Sequence, residues 1–114
     1  MKTREEIREH NSGAARMTEA QTLLQIHLRE LGIETVPEYR FCERQWRFDL
    51  ADESSHTAYE CDGGQWSGGH MRGAALESQY EKDRVAQLRG WRIFRFTNRQ
   101  VLSGDALAWL KEHL

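Results

Sequence analysis

The order of the hydrophobic periodicities limits this chain to few folds: two helical patterns enclose three short β-rich runs, and a fourth run follows. From Arg16, apolar residues Met17, Ala20, Leu24, Leu28 and Leu31 recur at three- and four-residue steps, with His27 beside them, which predicts a helix over about 17–31. Thr18 or Ser12 suits its N-cap, and Gly32 a left-handed stop. Glu34–Phe41 and Gln45–Leu50, split by the polar Cys42-Glu43-Arg44, predict a hairpin-like pair of strands. Pro37 fits an edge or a strand entry. A polar turn beginning at Asp52 leads to a third strand, Thr57–Cys61. A segment with five glycines follows over residues 62–73. Ala74–Arg89 reads as a second helix with Leu76, Tyr80, Val85 and Leu88 inward, and Gly90 closes it. Trp91–Phe96 is a fourth strand whose Arg92 and Arg95 are expected to share an orientation distinct from their apolar neighbours. Leu107, Leu110 and Leu114 support a last helix over about 104–113.

The expected class is therefore α/β, in the order α-β-β-β-α-β-α. Three consecutive strands favour an antiparallel meander. The helix before the fourth strand makes that connection a parallel crossover, right-handed by chirality. A mixed four-stranded sheet flanked by helices results. The 114 residues suffice for one such domain, over 16–114, preceded by a flexible N-terminal arm, 1–15, whose one aliphatic residue besides Met1 is Ile7.

Composition narrows the function classes. No stretch approaches the ~20 consecutive apolar residues of a spanning helix, and four Trp with 10% aromatic residues argue against a solvated, disordered chain. Cys42 and Cys61 lie 19 apart without CxxC spacing, so neither a disulfide framework nor a zinc knuckle is expected. Met1–His10 is charged throughout and reads as no signal peptide, so the expected location is the cytoplasm. The net charge of -2 means that a polyanion must be met by a local basic patch.

Chemistry concentrates where strands two and three end. Asp49 stands in Trp46-Arg-Phe-Asp49-Leu, and Glu60 and Asp62 flank Cys61. On adjacent antiparallel strands Asp49 and Glu60 lie side by side if the register matches. Glu60 and Asp62, two apart, share a face of a regular strand. Three such carboxylates repel unless a cation neutralises them, and hard oxygen donors suit Mg²⁺ or Mn²⁺. Turn chemistry alone accounts equally well for Asp62-Gly63. It accounts less well for Glu60, an acid inside a strand where burial penalises it.

Asp49, then ten residues, then Glu60-Cys61-Asp62, with a helix on either side, resembles the PD-(D/E)XK nuclease superfamily. More narrowly, WRFDLA…YECDGGQWSGGH…EKDRVAQLRGWRIFRFT is similar to its small bacterial and phage endonuclease-like proteins and to the very-short-patch repair endonuclease group, over about Thr18–Val101. The resemblance implies metal-dependent hydrolysis of phosphodiester bonds, in DNA. It implies that Asp49 and Glu60 ligate the metal, that the Cys61 carbonyl completes the protein's share, and that Glu19 on helix one matches a further acid. Gln21 stands as an alternative at that last position, and for Glu19 an ordinary first-turn acid is the plainer reading. A metal held there would lower the pKa of a bound water and stabilise charge on phosphorus.

One departure stands out: the superfamily's lysine position holds Asp62. A second metal or an oriented water would suit Asp62. Lys82 on the following helix could return the missing cation, and His70 could serve as a general acid or base. A solvated helix pair for Lys82 and a surface position for His70 are the plainer readings. Arginines interleave with aromatics around Arg40, Arg47 and Arg95, and with Arg72 and Trp66 in the glycine-rich segment they outline a DNA-facing stripe. Ordinary solvation of an exposed strand face explains the same alternation. Without catalysis, such a chain would be a degenerate nuclease fold that binds nucleic acid or a protein partner. A monomer would nick one strand, and a homodimer would cut two.

Overall fold

The computed structural model describes residues 17–63 and 73–114. The N-terminal arm, and with it Ser12, lies outside the described residues, as do Trp66, His70 and Arg72 of the glycine-rich segment.

Helix α1 spans Glu19–Glu30. Thr18 caps it, its hydroxyl accepting from the Gln21 amide nitrogen at 3.1 Å. Gly32, at φ +82°, releases the chain beyond it, a conformation that glycine adopts freely. Three strands follow: β1 over Val36–Tyr39, β2 over Phe48–Asp52 and β3 over Thr57–Asp62. Helix α2, Ala74–Leu88, crosses to β4, Arg92–Thr97. Two helices close the chain, α3 over Asn98–Ser103 and α4 over Asp105–His113.

The sheet runs β1-β2-β3-β4. The first two pairings are antiparallel and β3 pairs with β4 in parallel, as the meander and crossover require. Pro37 lies on the edge strand β1, where its missing N–H breaks no inner ladder. One face packs Leu50, Tyr59 and Phe96 against Leu24 and Leu28 of α1, Val101 of α3 and Leu110 of α4. The other packs Phe48, Ala51 and Ala58 against Ala86 of α2 and Trp91. Each large apolar side chain so buried contributes about 2 kcal/mol.

Three expectations need correction. The chain adds a helix, α3, directly after β4: Thr97 and Gln100 form a reciprocal capping box that starts it. The inward face of α2 is not the one its leucines suggest. Lys82 and Ala86 are buried, while Tyr80 is 53% and Leu88 87% exposed. Arg92 and Arg95 do not share an orientation, since three steps along a strand reverse the face. Arg92 reaches Thr57 Oγ1, and Arg95 reaches acids on the α2 side.

Candidate active site

The strand register sets four polar residues on one line across the sheet. Pro37 pairs with Leu50 and Tyr39 with Phe48, so Glu38 stands opposite Asp49. The β2–β3 ladder ends at Leu50–Tyr59, one step short of Asp49 opposite Glu60. Glu60 pairs with Arg95. A charged line through a sheet packed on both faces is costly unless its members satisfy one another.

They do so by replacing the missing ladder bonds with side chains. The Asp49 amide donates to Glu60 Oε2 at 2.9 Å, and the Cys61 amide donates to Asp49 Oδ2 at 2.7 Å. Each carboxylate is thus fixed by the neighbouring strand's main chain. From α2, Lys82 Nζ donates to Glu60 Oε1 at 2.5 Å, with Glu60 3% and Lys82 8% exposed. From α1, Gln21 Nε2 donates to the Asp49 carbonyl at 2.9 Å and to Glu38 Oε1 at 3.2 Å. Arg95 stands 4.0 Å from Glu60, donates to Asp62 at 3.3 Å, and is ion-paired and hydrogen-bonded to Asp83 of α2.

Electrostatics follow this packing. Burial, and then the Glu60 charge beside it, push the Asp49 carboxyl up to about 7, against the opposing pull of the Cys61 amide and Lys82. Burial raises Asp62, only partly countered by Arg95. Desolvation alone would lower Arg95, but Asp83, Glu60 and Asp62 together raise it. Burial, and next the Asp49 and Glu60 charges, push the Cys61 thiol up to about 12, so this free thiol is no nucleophile near neutral pH.

Asp49, Glu60, Cys61 and Lys82 therefore come together. Asp62 is adjacent but bound to Arg95, and Arg95 itself is turned into the protein rather than presented to a polyanion. Glu19 is exposed and lines a shallow hollow with Met17, Thr22, Leu23 and Ile26, so the α1 residue that reaches Asp49 is Gln21. Arg47 is partly buried, directly ahead of β2. Glu38 and Asp83 carry no short sequence motif, and their places emerge only from the register of β1 and the pitch of α2.

Two carboxylates and a main-chain carbonyl are hard oxygen donors, and the Asp49 and Glu60 charges repel each other. Both features fit Mg²⁺ or Mn²⁺, which bind through one or two carboxylates and fill the remaining positions with water and phosphate oxygens. Among the described residues, no group of three or more His, Cys, Asp or Glu converges in a metal-holding arrangement. Among them, too, no helix is long and apolar enough to cross a membrane.

No protein-family model and no curated protein matches the chain. Among solved structures it is similar to the catalytic domain of the homing endonuclease I-Bth0305I, with a TM-score of 0.62 and 14% identity, covering 83% of this chain and 91% of that one. At that identity the likeness is one of fold: helices around a mixed four-stranded sheet, the fold of a nuclease catalytic domain.

Proposed function

We propose that the chain is a metal-dependent endonuclease that hydrolyses phosphodiester bonds in DNA. One observation carries this reading. Asp49 and Glu60 come from adjacent strands, each is held by a main-chain amide of the neighbouring strand (Cys61 and Asp49), and a buried lysine pairs with Glu60. The nuclease-domain fold supports it. Asp49, Glu60 and the Cys61 carbonyl would hold Mg²⁺ or Mn²⁺. When bound, the ion supplies Lewis acidity to the phosphate and to water.

The chain's own residues do the remaining work. Lys82 pairs with the buried Glu60 and would supply the positive charge that the superfamily's strand lysine supplies at a phosphate oxygen. Arg95 neutralises Asp62 and Asp83, so two further acids do not repel the substrate. The Asp49→Ala variant is expected to abolish cleavage of supercoiled plasmid in Mg²⁺ while leaving the far-ultraviolet circular dichroism unchanged. Cutting by that variant, or by the natural protein in EDTA, refutes the reading.

A second reading has its own support. Both Glu60 oxygens already have donors, and Asp62 is taken by Arg95. That arrangement suits a nuclease fold that binds nucleic acid or a protein partner without catalysis. Calorimetric titration with Mn²⁺ separates the two. Heat that disappears in Asp49→Ala supports the enzyme, and absence of heat in the natural protein supports the binder.

A further inference from the structure

We propose that Glu38 is a positioning residue for Asp49, acting through the Gln21 side-chain amide. The inference rests on Asp49 being a metal-binding carboxylate, and adds a residue that neither the family resemblance nor the acid-pair geometry includes.

The backbone gives the first indication. Glu38 sits at φ +52°, a left-handed conformation unfavourable for a residue with a Cβ. It does so inside an edge strand, at the one position that faces Asp49. Strain of this kind persists where the surroundings over-determine it, and it gathers at functional sites.

Gln21 gives the second. It is almost fully buried, and its Nε2 donates to both the Asp49 carbonyl and Glu38 Oε1. Both neighbours are acceptors only, so the amide can present its NH₂ alone, and its orientation is forced. The carboxylate makes one of these bonds charge-assisted and holds the amide against Asp49.

A comparison within the chain shows that this is not ordinary capping. Thr18-x-x-Gln21 and Thr97-x-x-Gln100 are the same capping pattern, and in both the threonine accepts from the glutamine's main-chain nitrogen. Gln100 completes the box, its side chain accepting from the Thr97 amide at 2.9 Å. Gln21 instead directs its side chain to Glu38 and Asp49. The α1 residue nearest the site has thus exchanged a local bond for one that fixes the main chain of Asp49. That is the point where β2 leaves its ladder with β3 and needs another support.

Mn²⁺ titration calorimetry and thermal melts of the full chain test this. Glu38→Gly removes the strain and the acceptor together, so its Tm is expected to equal or exceed that of the natural protein. Its Mn²⁺ affinity is expected to fall about tenfold or more, as loss of an outer support of a metal ligand does. Glu38→Gln keeps an oxygen that Gln21 can reach and should retain affinity within about threefold. Glu38→Asn, which tolerates the left-handed backbone but is too short, should bind as weakly as Glu38→Gly. Natural affinity in Glu38→Gly, or a Glu38→Gln variant as weak as Glu38→Gly, overturns the proposal. Asp49→Ala separates the two levels of inference. Loss of Mn²⁺ binding there with no change in Glu38→Gly removes Glu38 alone, whereas natural binding in Asp49→Ala removes the metal site itself.

Discussion

At the scale of single residues, the site stands on a balance between burial and pairing. Asp49 shows the sign of that balance. Its carboxyl is raised from 3.8 to about 7, first by burial and then by Glu60. Between those values the folded chain holds a proton that the unfolded chain has released. Stability without metal is therefore greatest below about pH 4 as far as this group is concerned, and falls as pH rises towards about 7. Urea midpoints measured from pH 4 to 8 should show that decline, and Asp49→Asn should flatten it. If the proposed site holds a divalent ion, its affinity should run the opposite way and rise through about pH 7, because the ion needs the ionised carboxylate. Lys82 is the complementary case. Lys82→Met leaves Glu60 buried without its ammonium, at a cost of about 3–5 kcal/mol in unfolding free energy. Adding Glu60→Gln should recover much of that loss, because it removes the unpaired charge and keeps an oxygen for the Asp49 amide, at the expense of the site. A double variant as unstable as Lys82→Met alone would show that the lysine stabilises by packing and not by charge.

At the scale of elements, the strands were more legible than the helices' faces. The order of β1 to β4 and the parallel crossover follow from where β-rich runs and helical periodicity alternate, and a sheet of this size leaves few other pairings. The acid pair could be read because Asp49 and Glu60 flank one short turn, and the register that pairs Asp52 with Thr57 brings them opposite each other. The face of α2 could not be read this way. Leu76, Tyr80, Val85 and Leu88 suggest one apolar stripe, yet Glu60 lies beneath the helix and draws Lys82 inward. Helix α3 was hidden by brevity: six residues are too few for a hydrophobic period, and its signal is the Thr97–Gln100 box. Glu38 had no local signal, because its role depends on a register and a left-handed backbone. The elbow between α3 and α4 offers a test at this scale. Gly104 sits at φ +91°, and a Cβ there would meet nothing within 4 Å. Gly104→Ala should therefore cost about 1 kcal/mol through backbone conformation alone, read as a lower urea midpoint with an unchanged m-value.

Across the whole molecule, the two faces of the sheet are unequal. Leu24, Leu28, Val101 and Leu110 are wholly buried on the side of α1, α3 and α4. On the other side, α2 buries only Lys82 and Ala86 among its fifteen residues. It is held instead by charges: Lys82 to Glu60, Asp83 to Arg95, and the exposed Glu81 to Arg44. Exposed pairs contribute little, about 0–1 kcal/mol, so attachment of α2 falls mainly on Lys82 and Asp83. The helix that carries the cation of the site is thus the least apolar in its anchoring, and should open without global unfolding. Native-state hydrogen exchange is expected to give α2 amides a lower opening free energy than those of α1 and β3. Lys82→Met should accelerate exchange in α2 beyond its effect on α1, while Leu24→Ala, at about 3 kcal/mol, should lower every element together. Equal exchange across α1 and α2 would mean that the ion pairs bind the layer as firmly as the apolar core does. The lysine would then be a fixed part of the sheet rather than a group on a hinged helix.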